Sequence, residues 1–221
     1  MSDDPTVEFA ELEQKAIDGD NDALAELFQL HGDRLRMMIE MRLDRRVQSR
    51  INASDVLQQS FIDLADQLGN YAKNPTVPFF VWMRKLTGQR LSKVHRDHLA
   101  TQKRDAHKEV RLPGAEDMPD ASSVAIAKEL AGSFTGPQTQ LLRAERQERL
   151  QEVLVGMSDE DREILALKNF EQLTTAEAAH ELGISKAAAG MRYVRALKKL
   201  QAEVESRRDE FGDTMFSVKA V

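Results

Sequence analysis

The stretch from Ser158 to Leu200 constrains this chain more than any other, because helix starts, helix stops and charge agree there on one local structure. Ser158-x-x-Asp161 and Thr174-x-x-Glu177 are capping-box patterns, in which a hydroxyl and a carboxylate satisfy the orphan amides of a helix's first turn. Between the boxes Ile164, Leu165 and Leu167 supply an apolar stripe. After the second box Ala178, Ala179 and Leu182 predict a short helix whose small side chains admit a close neighbour. Gly183 supplies the left-handed residue that ends it, Ile184 fills the space beneath, and Ser185 caps a third helix through Leu200. The pattern is a helix-turn-helix. Its last helix carries Lys186, Arg192, Arg195, Lys198 and Lys199 with no acid from 186 to 199, the charge pattern of a helix lying in a DNA major groove. A basic end that only answers the helix macrodipole is the plainer alternative.

The rest of the composition sets the frame. Ala, Leu, Glu, Gln and Arg dominate, strand-like alternation is absent, and 221 residues suffice for two small domains, so the expected fold is all-α. The expected organisation is an N-terminal helical domain over 1–99, a flexible linker over 100–140, a C-terminal helix-turn-helix domain over 141–205 and a polar tail over 206–221. The linker reading rests on Pro113, Pro119 and Pro137 among Gly114, Gly132 and Gly136, with one short helix near Ser123 to Leu130. No apolar run is long enough to cross a bilayer and the acidic N-terminus is unlike a signal peptide, so a cytoplasmic protein without membrane insertion is expected. The absence of cysteine excludes disulfides, thiolate metal sites and thiol redox chemistry.

The net charge of -6 hides a strong polarity. Residues 1–33 hold ten acids and one lysine, whereas residues 84–111 hold nine Lys or Arg against three acids. An acidic chain with concentrated basic stations needs a partner or a conformational change to approach DNA.

In the N-terminal part, helices are expected from about Phe9 to Gly19 and from near Ala23 through Leu43, the second ending in Arg42, Arg45, Arg46 and Arg50. Those arginines either meet phosphate or balance the helix end. A further helix starts at Asn52 to Ser54, with Leu57, Phe61, Leu64, Ala65 and Leu68 as its apolar stripe. Its other face, Asp55, Gln58, Gln59 and Asp66, offers hydrogen-bonding groups without cations and suits a protein partner or an inert surface. A loop over Gly69 to Pro78 leads into Phe79-Phe80-Val81-Trp82-Met83-Arg84-Lys85-Leu86, after which Lys85, Gln89, Ser92 and Arg96 recur at helical spacing. Aromatics beside a basic helix suit single-stranded nucleic acid. Most of these aromatics are expected in the core, which leaves the basic face and the preceding loop to nucleic acid.

These blocks, in this order, resemble an extracytoplasmic-function sigma factor, the small two-domain specificity subunit of bacterial RNA polymerase, over nearly all of residues 9–203. Asp55-Val56-Leu57-Gln58-Gln59-Ser60-Phe61 is similar to the family's helix that grips the clamp of the polymerase core. Phe80 to Leu86 resembles the segment that starts the helix reading the melted minus-ten element, and Gly183-Ile184-Ser185 through Leu200 is similar to the minus-thirty-five-reading helix. The resemblance implies core polymerase binding by Asp55, Gln58 and Gln59. It implies minus-ten binding by Arg84, Lys85, Gln89, Arg90, Lys93 and Arg96, and minus-thirty-five binding by Ser185, Lys186, Arg192, Arg195 and Lys198. Ala187-Ala188-Ala189-Gly190 carries few groups able to read bases, so anchoring by phosphate contacts and DNA shape is expected there, with strand opening left to residues 70–96. Core RNA polymerase and promoter DNA are the implied partners, and an anti-sigma protein is left open.

Two other classes compete. A stand-alone repressor or activator using the same helix-turn-helix would bind duplex DNA without polymerase. A metal enzyme could be built on His95-x-x-His98 with Asp97, His31 and Asp33, although histidines on a basic helix are more often surface or packing residues. No catalytic constellation is visible, and no cofactor or metal is expected.

Overall fold

The computed structural model describes residues 5–102, 118–133 and 140–207, and among them it contains helices and no strand. The chain divides into two compact units, Met1–Pro119 and Asp120–Val221. Parts of the expected linker, 103–117 and 134–139, and the tail from 208 lie outside the described residues.

In the first unit the helices are α1 (Pro5–Ile17), α2 (Asn21–Leu30), α3 (Gly32–Arg42), α4 (Ala53–Lys73) and α5 (Phe79–Gln102). Gly19, at a φ of 98°, makes the left-handed turn after α1, and Asp20 caps α2 by accepting from the amides of Asp22 and Ala23 at 2.9 and 3.1 Å. The helix expected from Ala23 through Leu43 is two helices. His31, in a right-handed helical conformation, ends α2 and precedes α3, so the break at His31-Gly32 is a kink and not a loop. Asn52 and Asp55 form a complete capping box, each side chain accepting the other's amide at 3.0 Å, and fix the start of α4. That helix runs on to Lys73, through Gly69, because burial of Leu68 and Tyr71 outweighs the glycine's poor helix propensity.

The core of this unit comes from Leu24, Leu27, Leu35, Met38, Ile39, Leu64, Met83 and Leu91. The buried hydroxyls of Ser60 and Thr87 donate to carbonyls one turn back, those of Val56 at 2.7 Å and Met83 at 2.9 Å, and so stay satisfied without leaving their helices. Met118, just beyond an undescribed stretch, packs with Leu57 and Val94 against the buried cluster that includes Met38, Ile39, Val56 and Leu91. Its terminal methyl lies over Gly88, where a Cβ would push the Met118 side chain aside.

The second unit holds α6 (Ser123–Ser133), α7 (Gln140–Val155), α8 (Asp159–Leu165), a π-helical turn (Ala166–Phe170), α9 (Thr175–Glu181) and α10 (Lys186–Ser206). Helix α6 lies within the stretch read as linker, yet it packs against α7 with Ile126, Ala127 and Ala131 buried. The Glu163 carboxylate accepts from the Ala121 amide at 3.1 Å and ties the segment before α6 to α8. Arg162 joins the end of α7 to α8 by donating to the carbonyls of Leu154 and Met157 at 3.0 and 2.5 Å.

Candidate polymerase and nucleic-acid interfaces

The helix-turn-helix is assembled as its punctuation predicts, with one exception. Thr174 and Glu177 form a complete capping box at 3.2 and 2.7 Å. Gly183, at a φ of 62°, closes α9 through bonds from its own amide to the His180 carbonyl and from the Ile184 amide to the Ala179 carbonyl, the two bonds of a Schellman motif. Ser185 caps α10 by accepting from the Ala188 amide at 3.1 Å. The exception is the first box: Ser158 accepts the Asp161 amide at 3.2 Å, but the Asp161 carboxylate pairs with Lys199 on α10. Burial pushes against ionisation of Asp161, and the hydrogen bonds from Lys199 and Ser158 outweigh it and hold the pKa below the ordinary carboxylate value.

Helix α10 touches its unit through a narrow stripe of alanine. Ala189 and Ala196 are fully buried, and Ala178 and Ala179 on α9 are buried beside them, so the helices approach closely. Ser185, Lys186, Arg195 and Lys198 are exposed, and Arg192 is partly buried and pairs with Glu160 at 3.4 Å. On the flank Tyr193 donates to the Asn169 side chain at 2.6 Å, which joins α10 to the π-helical turn. That turn is closed by a bond from the Glu171 amide to the Ala166 carbonyl at 3.0 Å and is followed by Gln172 at a φ of 56°, a conformation that costs energy for any residue but glycine. Neither feature has a residue signature in the sequence. Met191 and Val194 were also missed: they are 67% and 50% exposed among the cations of α10.

The basic block of α5 is less exposed than its sequence suggests. Arg84 is only 2% exposed, among the largest fully buried side chains, and is not part of a surface; Ser92 is also buried. The reason is that α5 is enclosed on most of its circumference: Phe79 to Met83, Leu86, Thr87, Leu91 and His95 are all buried. Arg90 is spent inside the unit on Asp63 of α4, its Nε donating at 2.6 Å, and this bond holds the guanidinium pKa above its ordinary value. Lys85 and Lys93 are exposed, and Gln89 and Arg96 are partly exposed on the same face, at spacings of four and three. Of the other basic cluster, Arg42 is buried and Arg46 forms a two-point ion pair with Asp44, at 3.0 and 2.6 Å, leaving Arg45 and Arg50 exposed.

The aromatics beside α5 are core, as expected for most of them. Trp82 stacks on Tyr71 with centroids 4.6 Å apart and Phe79 lies 5.3 Å from Trp82, while the Tyr71 hydroxyl donates to the Val77 carbonyl at 2.7 Å. The cluster therefore holds the loop between α4 and α5 from beneath. Phe80 is capped by the Arg34 guanidinium, 3.5 Å from its ring centroid.

On α4, Asp55, Gln58, Gln59 and Asp66 are all exposed and share a face with Ile62, which is 49% exposed. Ile62 stands out of phase with the buried Val56, Leu64 and Leu68, and that mismatch was its signal in the sequence. Ala65, expected in the apolar stripe, is exposed. His95, considered as a metal ligand, is buried and its Nε2 accepts from the Asp44 amide at 3.1 Å, so that lone pair is engaged. No cluster of three or more candidate ligands occurs among the described residues, and none of their helices is long and apolar enough to cross a membrane.

Residues 147–200 match the family model of sigma-70, region 4. The RNA polymerase sigma factor NccH of Alcaligenes xylosoxydans xylosoxydans is 27% identical over 205 residues, which cover 92% of this chain and 97% of NccH. The solved structure of CnrH, in complex with the cytosolic domain of CnrY, shares the fold at a TM-score of 0.51 and 19% identity, covering 89% of this chain and 97% of CnrH. With a region 4 match over the α8 to α10 helix-turn-helix and a sigma factor similar to it along nine-tenths of its length, the chain is similar to RNA polymerase sigma factors, in line with the extracytoplasmic-function resemblance of its motifs.

Proposed function

We propose that this chain acts as a sigma factor and divides its work among three surfaces. The exposed face of α4, with Asp55, Gln58 and Gln59 as hydrogen-bonding groups and Ile62 as an apolar anchor, binds core RNA polymerase. The basic face of α5, with Lys85, Gln89, Lys93 and Arg96, engages the opened minus-ten region. Lys186, Arg192, Arg195 and Lys198 on α10 hold the minus-thirty-five duplex. Arg84 is left out because it is buried, and Arg90 because Asp63 already holds it. The observation that carries the reading is the exposed, acid-free basic face of α10 inside the region 4 match. Sigma factors as a family direct initiation and are not themselves enzymes, and the site of action is the cytoplasm, where polymerase and promoter meet. The complex of CnrH with the cytosolic domain of CnrY supports a third partner for this chain, a regulatory protein of anti-sigma type.

The test is transcription in vitro with core polymerase on a genomic library. Defined start sites that need both proteins are the expected result; sequence-specific gel shifts by the free chain alone, unchanged by core enzyme, would instead support a stand-alone repressor or activator. Within that assay Gln58→Ala with Gln59→Ala is expected to weaken core binding at least about fivefold, in the range of interface anchors. Asp55→Ala is a poorer probe, since loss of its capping box also costs α4 about 1 kcal/mol.

A further inference from the structure

The outward face of α10 is apolar where a reading helix is usually polar. Ala187, Met191, Val194 and Lys198 recur at spacings of four, three and four, and so lie along one line of the helix, with Ala188 and Arg195 beside it. All six are exposed, Met191 the most exposed large apolar side chain among the described residues. The bases are approached by the N-terminal turns of such a helix. There Ala187, Ala188, Gly190 and Met191 present no hydrogen-bonding side chain, while the Ser185 hydroxyl already accepts from the Ala188 amide as the helix cap.

The apolar line of this surface is blind to the donor and acceptor pattern of base pairs. The one base-edge feature it recognises favourably is the C5-methyl group of thymine. The charge of the surroundings favours DNA over a protein as the occupant: Lys186, Arg195 and Lys198 border the apolar line, and no acid lies on the helix from 186 to 199. We propose that Met191, with Ala187 and Ala188, is the specificity-determining element of this region 4 and reads thymine methyl groups in the upstream promoter duplex. The inference rests on the proposed minus-thirty-five role of α10 and adds the chemistry of its readout. Lys186, Arg195 and Lys198 set affinity through phosphate, whereas Met191 sets which base pairs are accepted.

The experiment uses holoenzyme and a promoter selected by it from a duplex pool randomised in the upstream element. Each thymine of the selected element is replaced in turn by deoxyuracil, which removes the methyl and keeps the base pair. For the unaltered protein, at least one replacement is expected to weaken binding about fourfold, the value of one buried methyl group. Met191→Ala, at an exposed position that leaves folding intact, is expected to bind the thymine and uracil duplexes alike, and Met191→Leu to keep the discrimination. Uracil tolerated at every position by the unaltered protein would sink the inference. So would equal discrimination by the Met191→Ala protein, or a Met191→Ala defect confined to core polymerase binding, which would give the face to a protein. Selection of no common upstream element would overturn the DNA-binding role of α10 together with this inference, whereas specific selection with indifference to uracil overturns the methyl readout alone.

Discussion

Helices α5 and α10 look alike in the sequence, each long and basic, but they stand in their units in opposite ways. Helix α5 is sunk into its unit, with Phe79 to Arg84, Leu86, Thr87, Leu91, Ser92 and His95 buried, and among its described side chains Lys85, Lys93 and the acid Asp97 are exposed, with Gln89 and Arg96 partly so. Helix α10 rests on Ala189 and Ala196 and turns most of its circumference outward. A basic residue on a central helix therefore has to be judged by how many sides of that helix are covered. On a helix seated by an alanine stripe the cations stay outside, and what limits them is a nearby acid, as Glu160 holds Arg192 and Asp161 holds Lys199.

The largest effect that tests this contrast is at adjacent positions of α5. Arg84→Ala empties a large buried volume and strips the side chain's interaction partners, and is expected to destabilise the first unit by about 3 kcal/mol. Lys85→Ala, one residue along and exposed, is expected to change stability by no more than about 0.5 kcal/mol while weakening promoter opening. Urea denaturation followed by the fluorescence of Trp82, the single tryptophan and a residue of the first unit's core, separates the two. Equal stability of the two variants would mean that Arg84 is a surface cation after all.

The inner face of α5 also gives the first unit a pH dependence that the alanine seat of α10 cannot supply. Burial, aided by the nearby Arg46 and opposed by Asp44, lowers the His95 pKa below its ordinary 6.5. Above that value both folded and unfolded states hold a neutral imidazole. As pH falls below about 6.5 the unfolded chain takes up a proton that the folded chain refuses, so stability declines until the lowered folded pKa is reached. Protonation would also remove the lone pair that accepts the Asp44 amide. Asp44 itself, its pKa lowered chiefly by the hydrogen bond from Arg46, adds its loss only at lower pH, below the carboxylate value of 3.8. Denaturation between pH 7 and 5, read by Trp82, is expected to show falling stability, and His95→Gln, which keeps an acceptor without the titration, to flatten the slope. An unchanged slope in that variant would remove His95 as the cause.

How much of this was legible depended on whether the signal was local. Capping by Asn52, Thr174 and Ser185 and the stop at Gly183 involve residues no more than a few positions apart, so the sequence carries them in full. The burial of Arg84, Arg42 and Ser92 and the pairing of Arg90 with Asp63 depend on which helices pack together, and no local pattern encodes that. The second Asp161 bond was misread for the same reason: Lys199, thirty-eight residues away, competes successfully for its carboxylate. Between these extremes stands Ile62, whose position was readable as an apolar residue on the wrong side of its stripe, but whose exposure needed the fold.

The smallest effect belongs to the outward cations of α10, and it sharpens the contrast by leaving the fold untouched. Lys198 is exposed and sits on the same line of the helix as Met191, two turns further from the N-terminus, where a groove-bound helix meets phosphate and not base edges. Lys198→Ala should leave stability within about 0.5 kcal/mol and lower holoenzyme affinity for all promoters by a similar factor, with the salt slope reduced by about 1. Arg192→Ala should do the same with a smaller loss, because its guanidinium must first leave Glu160, an exposed acid 3.4 Å away, and part of what phosphate provides replaces that pair. Titration of binding against salt measures both. A loss at Lys198 that differs from one promoter sequence to another would show that this lysine reads bases, and would move the boundary between reading and anchoring further along α10 than the apolar line places it.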